Sequence, residues 1–267
     1  MMRAAYLLVL VILAGLTGCM WGVPKKQSSG ITKDTLTYAY QLINERADDC
    51  GDKPDSSCTV VKIKYPVFVD ADKLNDTVTK KLTGLFGVFQ TDISLKDMSE
   101  HFLSTYTEFK RKHKKSPIFY TLNSSAKVVR QDSSLTTLEV NSYTFQGGAH
   151  GGSYVYFINW DTKADKNLAL EDILINGYKD KLTSIADTIF RKEEKLSDTA
   201  SLADNYFFKG NKFTLNRNFL ITPLGLRFLY NIYEIKPYAA GSTDVFIPYT
   251  QLKPLLRPHT VVTQYIK

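Results

Sequence analysis

Near Pro117 the hydrophobic period of this 267-residue chain switches from helical to strand-like, and that switch constrains the fold more than any other feature. Before it, Asp72 to Phe86 carries Leu74, Val78, Leu82 and Leu85 at helical spacing. Ser94 to Lys115 repeats the pattern with Met98, Phe102, Tyr106 and Phe109. Ser94 followed by Asp97 reads as an N-cap with a capping box, and the basic run Lys110 to Lys115 falls where cations complement the helix dipole. After Pro117, Ile118 to Leu122, Ala126 to Gln131 and Leu135 to Phe145 are rich in β-branched and aromatic residues, the composition of three strands. Ser153 to Trp160 reads as another. Upstream, Thr59 to Val69 alternates around Lys62 and Lys64 as a strand with one wet face, and Pro66 marks an edge or a bulge.

A further helix is predicted from Tyr178 to Lys195, with Leu182, Ile185, Ile189 and Phe190 on one side. Phe213 to Leu215, Asn218 to Thr222, Leu226 to Ile235 and Asp244 to Pro248 read as strands, and Tyr249 to Leu256 as a short closing helix. Strands and helices segregate in blocks. The expectation is an α+β fold with a largely antiparallel sheet, helices packed on one face and two closely joined subdomains.

The N-terminus carries an address. Arg3 precedes an apolar run from Ala4 to Leu16, shorter than the ~20 residues of a membrane-spanning helix, and the run exits through Leu16-Thr17-Gly18-Cys19. Residues 1–18 read as a signal peptide and the last four as a lipobox, which makes Cys19 the lipid-modified N-terminus of the mature chain. An ordinary signal peptide with an incidental cysteine is the alternative. Residues 19–33 follow as a lipidated tether, polar and without period. About a dozen such residues span roughly 20 Å, which holds the folded part close to one membrane surface. The expected location is extracytoplasmic: the outer membrane facing the periplasm, given Met20 after the cysteine, or the cell surface.

Acylation of Cys19 leaves Cys50 and Cys58 as an even pair, and an oxidising compartment favours a disulfide between them. The bridge closes a turn-rich loop from Gly51 to Ser57. The formal charge of the whole chain is +7, spread over many lysines, and suits an anionic partner such as a wall polymer. Secretion argues against nucleic acid. The basic run at 110–115 serves equally as a solvated helix face.

Catalytic motifs are sparse. The four histidines show no metal-ligand spacing, so neither a metal nor a cofactor is expected. No nucleophile elbow, Walker loop, dinucleotide fingerprint or His-Glu-x-x-His sequence occurs. The adjacent carboxylates Glu171-Asp172 and Glu193-Glu194 point in different directions on a helix and cannot flank a glycosidic bond. No catalytic residue is assigned. The pointed segment is Gly147-Gly148-Ala149-His150-Gly151-Gly152, where glycines allow close backbone approach and His150 offers hydrogen bonds. Gly148, His150 and Gly151, with Tyr238 and Tyr249 (and Tyr233 beside them) as flat surfaces, form the candidate ligand site. A plain hairpin turn and core duty for the tyrosines are the competing readings.

Taken together, Tyr143-Thr144-Phe145 with the glycine loop, Phe157-Ile158-Asn159-Trp160, Leu168 to Ile173, Tyr238-Ala239-Ala240-Gly241 and Ile247-Pro248-Tyr249 resemble the RsiV-type C-terminal extracytoplasmic domain. That domain also occurs beside the deacetylase domain of PdaC. The resemblance is most specific from Tyr143 to Leu256, and the stretch from Tyr38 to Gln146 is similar to the companion domain that precedes it. It implies a division into a PdaC-type companion domain at 34–145 and an RsiV-type domain at 146–267. RsiV is a membrane-spanning anti-sigma factor whose outer domain binds lysozyme, while other members sit on wall enzymes. Neither a sigma-factor-holding segment nor a deacetylase domain is read here, so the resemblance implies the outer module alone. Its expected partners are the membrane, through its lipid, and peptidoglycan or a lysozyme-like protein. An enzyme acting on peptidoglycan near His150, or a structural partner in an envelope complex, are the alternatives.

Overall fold

The computed structural model describes residues 35–85 and 93–266. Cys19, the signal segment, the tether and Phe86 lie outside the described residues. The first half is built from β1 (Tyr38–Arg46), β2 (Val60–Phe68), α1 (Asp72–Gly84), α2 (Leu95–Lys112), β3 (Thr121–Gln131), β4 (Leu135–Phe145), β5 (Gly152–Asp161) and β6 (Lys166–Asn167). The second half contributes α3 (Leu170–Ile173), α4 (Tyr178–Glu193), β7 (Phe219–Ile221), β8 (Gly225–Tyr230), β9 (Thr243–Pro248) and α5 (Tyr249–Leu252). No helix among the described residues is long and apolar enough to cross a membrane.

The fold is α+β. Six strands form one sheet in the order β1-β2-β3-β4-β5-β6, and β7-β8-β9 form a second. Every pairing is antiparallel except β2 with β3, which runs parallel because α1 and α2 carry the chain across between them. The two helices bury the expected stripes, Leu74, Val78 and Leu82 from α1 and Met98, Phe102 and Tyr106 from α2. These pack with Ile63, Leu122, Leu138, Val140, Ile158 and Trp160 from alternate positions of the sheet. Ser94 caps α2 as its sequence requires: Asp97 N–H donates to Ser94 Oγ at 3.0 Å, and Ser94 N–H to the Asp97 carboxylate at 3.3 Å. At the other end Lys110 donates to Ser116 O at 2.9 Å while Arg111 and Lys112 lie exposed, so this run finishes the helix.

Several boundaries differ from the sequence reading. Ile118 to Leu122 and Ala126 to Gln131 are not two strands: Thr121–Gln131 is one strand, with a register shift between Val128 and Arg130. Ser124 and Ser125 fall between those two segments, but Ser124 is buried and its hydroxyl bonds that of Ser142 at 2.7 Å across the sheet. Phe213 to Leu215 form no strand; Phe213 instead packs on Phe190 and Phe208 in the second core. The strand predicted to reach Ile235 ends at Tyr230, because the chain turns through Tyr233 at φ 68°. Tyr249 to Leu256 divides into α5 and a 3-10 turn, Lys253–Leu255. Pro66 lies beyond Lys64, the last residue of β2 that pairs with β3, in the half of the strand that forms an edge.

Among the described residues two large hydrophobic cores result, with a small cluster of Phe157, Leu220 and Leu229 beside them. The second gathers Leu182, Ala186 and Phe190 of α4 against Leu226 and Phe228 of β8 and Val245 and Ile247 of β9. Asparagine side chains join the sheets by standing in for peptide groups along the outer edge of β5. Val155 N–H donates to Asn231 Oδ1 at 2.7 Å, Phe157 N–H to Asn218 Oδ1 at 3.1 Å, and Asn218 Nδ2 returns a bond to Val155 O at 2.9 Å. Buried Asn159 completes the seam, donating to Phe219 O and accepting from Ile221 N–H, both at 2.8 Å. An edge that would otherwise expose peptide groups is thereby satisfied.

The disulfide joins Cys50 to Cys58 with Cα atoms 5.3 Å apart, as expected from the pair. Arg46 closes over its loop, donating to the carbonyls of Gly51 and Lys53 and pairing with Asp55 at 3.3 Å. Lys62 pairs with Asp55 at 2.6 Å, and its hydrogen bond holds that carboxyl below the usual range.

Candidate functional site

The β4–β5 hairpin delivers His150. Gly147 and Gly148 adopt φ of 97° and 98°, a conformation that side chains disfavour, and turn the loop outward. Gly151 is required for a different reason: a Cβ there would stand 2.6 Å from Thr144 O and from the Tyr143 ring. Facing this hairpin, the chain after β8 makes a tight turn in which Asn231 N–H donates to Glu234 Oε2 at 2.7 Å and Glu234 N–H to Asn231 O at 3.0 Å. That turn raises Tyr233, and a 3-10 turn, Tyr238–Ala240, places Tyr238 beside it.

His150 lies flat on Tyr238, with ring centroids 3.9 Å apart and planes 16° from parallel. Tyr233 closes the group at 5.7 Å from His150 and 5.5 Å from Tyr238. Such ring pairs contribute about 0.5–1.5 kcal/mol each beyond their buried area. His150 Nδ1 lies 3.2 Å from Gly151 O, and Nε2 lies 3.2 Å from the Tyr233 hydroxyl. A carbonyl oxygen only accepts, so Nδ1 carries a proton toward Gly151 O, while Nε2 and the Tyr233 hydroxyl share the second hydrogen bond. The rings, with Gly151, Gly152, Ser153, Tyr154 and Ile232, line a cleft of about 200 Å³.

Of the sequence candidates, His150, Gly151 and Tyr238 come together, and Tyr233 joins them. Gly148 bends the loop without lining the cleft. Tyr249 is a correction. It is buried at 6% exposure, donates its hydroxyl to Thr222 O at 2.9 Å and stacks on Tyr265, so it belongs to the core. Burial raises its phenol above the ordinary range. Tyr154 was not anticipated, although its alternation with Tyr156 along β5 is the signal that finds it.

A larger cleft of about 640 Å³ opens between the β5–β6 turn and the C-terminal segment, lined by Asp161, Lys163, Lys166, Asp172, His259 and Gln264 among others. Its groups largely satisfy one another. Asp161 accepts the N–H groups of Lys163 and Ala164, both at 2.9 Å, and Asp172 pairs with Lys166 at 2.5 Å. Desolvation opposes the Asp172 charge, but Lys166 and the Ala169 N–H outweigh it and keep its carboxyl below the usual range. Neighbouring Glu171 accepts from Arg217 Nη1 and Nη2, at 3.0 and 2.5 Å, which lowers its pKa to about 2. The acidic pair is thus divided between two separate cations. Among the described residues no group of three or more His, Cys, Asp or Glu side chains converges on a point that could hold a metal ion.

Two family models match parts of the chain. Residues 53–153 match a family model described as deacetylase PdaC, and residues 171–250 match one described as a protein of unknown function, DUF3298. No curated protein matches. A DUF3298-family crystal structure from Bacteroides fragilis NCTC 9343 superposes with a TM-score of 0.68 at 23% identity, covering 86% of this chain and 97% of its own. One from Pseudomonas aeruginosa PAO1 superposes with a TM-score of 0.66 at 24% identity, covering 84% and 95%. At these identities the likeness is one of fold.

Proposed function

We propose that this chain, carrying a PdaC-type and a DUF3298-type segment, is a non-enzymatic binding module of the cell envelope that recognises a cell-wall glycan. The observation that carries the reading is the His150–Tyr238 stack with Tyr233 half exposed beside it at 53%. Flat amphipathic rings around a shallow recess suit the face of a sugar ring, which presents C–H groups to the aromatic surface and hydroxyls to its rim. Volume supports a polymer over a small molecule. Pockets that enclose drug-sized ligands hold roughly 300–1,000 Å³, so a recess of about 200 Å³ fits one unit of a longer chain.

Binding is supported by the contacts of both His150 ring nitrogens, with Gly151 O and with Tyr233, which hold the ring in one orientation as a stacking platform requires. The formal charge of +7 favours approach to anionic wall polymer and opposes a cationic lysozyme. Lipid attachment through Cys19 would hold the folded part within a few nanometres of one membrane surface, the outer membrane facing the periplasm or the cell surface. The test is calorimetric titration with soluble peptidoglycan fragments, with a lysozyme-inhibition assay in parallel. Saturable binding that His150→Ala removes is the expected result. Lysozyme inhibition without glycan binding would transfer the surface to a protein partner, and absence of both would end the reading.

A further inference from the structure

We propose that a second recess on the same face of β5, around Lys81, is a carboxylate subsite, so that the ligand is an acidic glycan spanning both recesses. The inference rests on the glycan-binding reading and specifies its substrate class. The recess, about 460 Å³, is lined by Thr77, Lys80, Lys81, Gly84, Leu85, Tyr156 and Asn167. Lys81 projects from α1 and holds its ammonium 5.4 Å above the Tyr156 ring. Lys62, Lys73, Lys96, Lys166 and Lys236 each pair with a carboxylate, but among the described residues neither Lys80 nor Lys81 does. Burial also draws the Lys81 ammonium below the usual amine range, the sign of a cation that has lost water without gaining an anion.

The other donors point to the same chemistry. Asn167 Oδ1 accepts the Asn159 N–H at 3.1 Å, which fixes the amide and assigns the Nδ2 group to the remaining side as a donor. None of the described residues lining the recess is acidic. Glu234, whose charge acts on Tyr156, is engaged by Asn216 Nδ2 at 2.8 Å and by Asn231 N–H at 2.7 Å. Two ammonium groups and an amide N–H around an aromatic wall suit a carboxylate carried on a sugar.

Register connects the recesses. Tyr154 lines the His150 cleft and Tyr156 the Lys81 recess; two positions apart on β5, they share a face about 7 Å from one another. A ring stacked at Tyr238 thus has its carboxylate-bearing neighbour directed along the strand toward Lys81.

The experiment titrates wild type, His150→Ala and Lys81→Met with three probes: neutral chitooligosaccharides, oligogalacturonides with the carboxylate on the ring, and muropeptides with it on a branch. Lys81→Met keeps the apolar stem and removes a half-buried charge, so its thermal midpoint is expected to be unchanged or raised. Its affinity for at least one acidic probe should fall about tenfold while neutral binding is retained, and the probe affected identifies the carboxylate. His150→Ala should lose all three. Unchanged acidic binding by a folded Lys81→Met protein overturns the subsite and leaves the glycan reading intact; failure of wild type to bind any probe overturns both.

Discussion

Tyr265 donates its hydroxyl proton to Asp132 at 2.5 Å, tying the C-terminal segment to the β3–β4 turn more than a hundred residues earlier. Asp132 also accepts the Ser134 and Leu135 N–H groups at 3.0 and 2.9 Å, and Arg130 stands over the Tyr265 ring at 5.3 Å. Tyr265 stacks in turn on Tyr249, so one clasp joins the second core to the first sheet.

Removal of that hydroxyl in Tyr265→Phe should cost roughly 1–2 kcal/mol, read as a lower urea midpoint at unchanged slope. The pH dependence has a definite sign. Desolvation opposes the Asp132 charge, but Tyr265 and the turn N–H groups depress its pKa overall, so its contribution is present above about pH 4 and lost as pH falls through the folded value. Burial and Asp132 raise the Tyr265 pKa to about 12, so that contribution is complete below about pH 10 and lost as pH rises toward 12. Tyr265→Phe should flatten both limbs; identical pH profiles for the two proteins would remove the clasp from the account.

Asn159 holds the seam between the sheets. Asn159→Ala leaves Phe219 O and Ile221 N–H without their partner in a buried setting, an expected loss of about 2–4 kcal/mol in chemical denaturation. Asn159→Asp keeps the acceptor and loses the donor. It should be at least as damaging, because a carboxylate there would face Phe219 O.

The disulfide closes a short loop, and loop-closure entropy gives it about 2–3 kcal/mol. Reduction, or the Cys50→Ala and Cys58→Ala double variant, should lower the thermal midpoint by several degrees. Mass spectrometry under non-reducing conditions, showing two free thiols in the folded protein, would contradict the pairing.

Gly151→Ala should displace the hairpin, since its Cβ would meet the Thr144 carbonyl and the Tyr143 ring. The readout is the NMR signal of the His150 ring protons. They lie over Tyr238 and should be shifted upfield in wild type, moving toward the free-histidine position in the variant.

Much of the scaffold was legible because its signals are local. Leu74, Val78 and Leu82 lie on one buried stripe, and Ser94 with Asp97 forms the cap that the sequence spells. The edge strand β1 gave no signal, since all nine of its residues remain at least partly wet and none is buried. Ser124 and Ser125 interrupted a strand on paper because their polar groups are satisfied only across the sheet, by a partner eighteen residues away. The site divided in the same way. Glycines marked the hairpin and His150 within it, but the choice of Tyr238 over Tyr249 depends on a turn that raises one ring while a helix buries the other. Lys81 and Tyr156 carry no motif, and their meeting is a product of α1 packing on the sheet.

The central claim, that the His150, Tyr233 and Tyr238 rings form a platform for a wall glycan, is tested most directly by isothermal titration of the folded protein with soluble peptidoglycan fragments. Tyr238→Ala serves as the control. Expected is saturable binding by wild type that falls at least tenfold in Tyr238→Ala with the fold intact; equal affinity in the two proteins, or no heat with either, would contradict it.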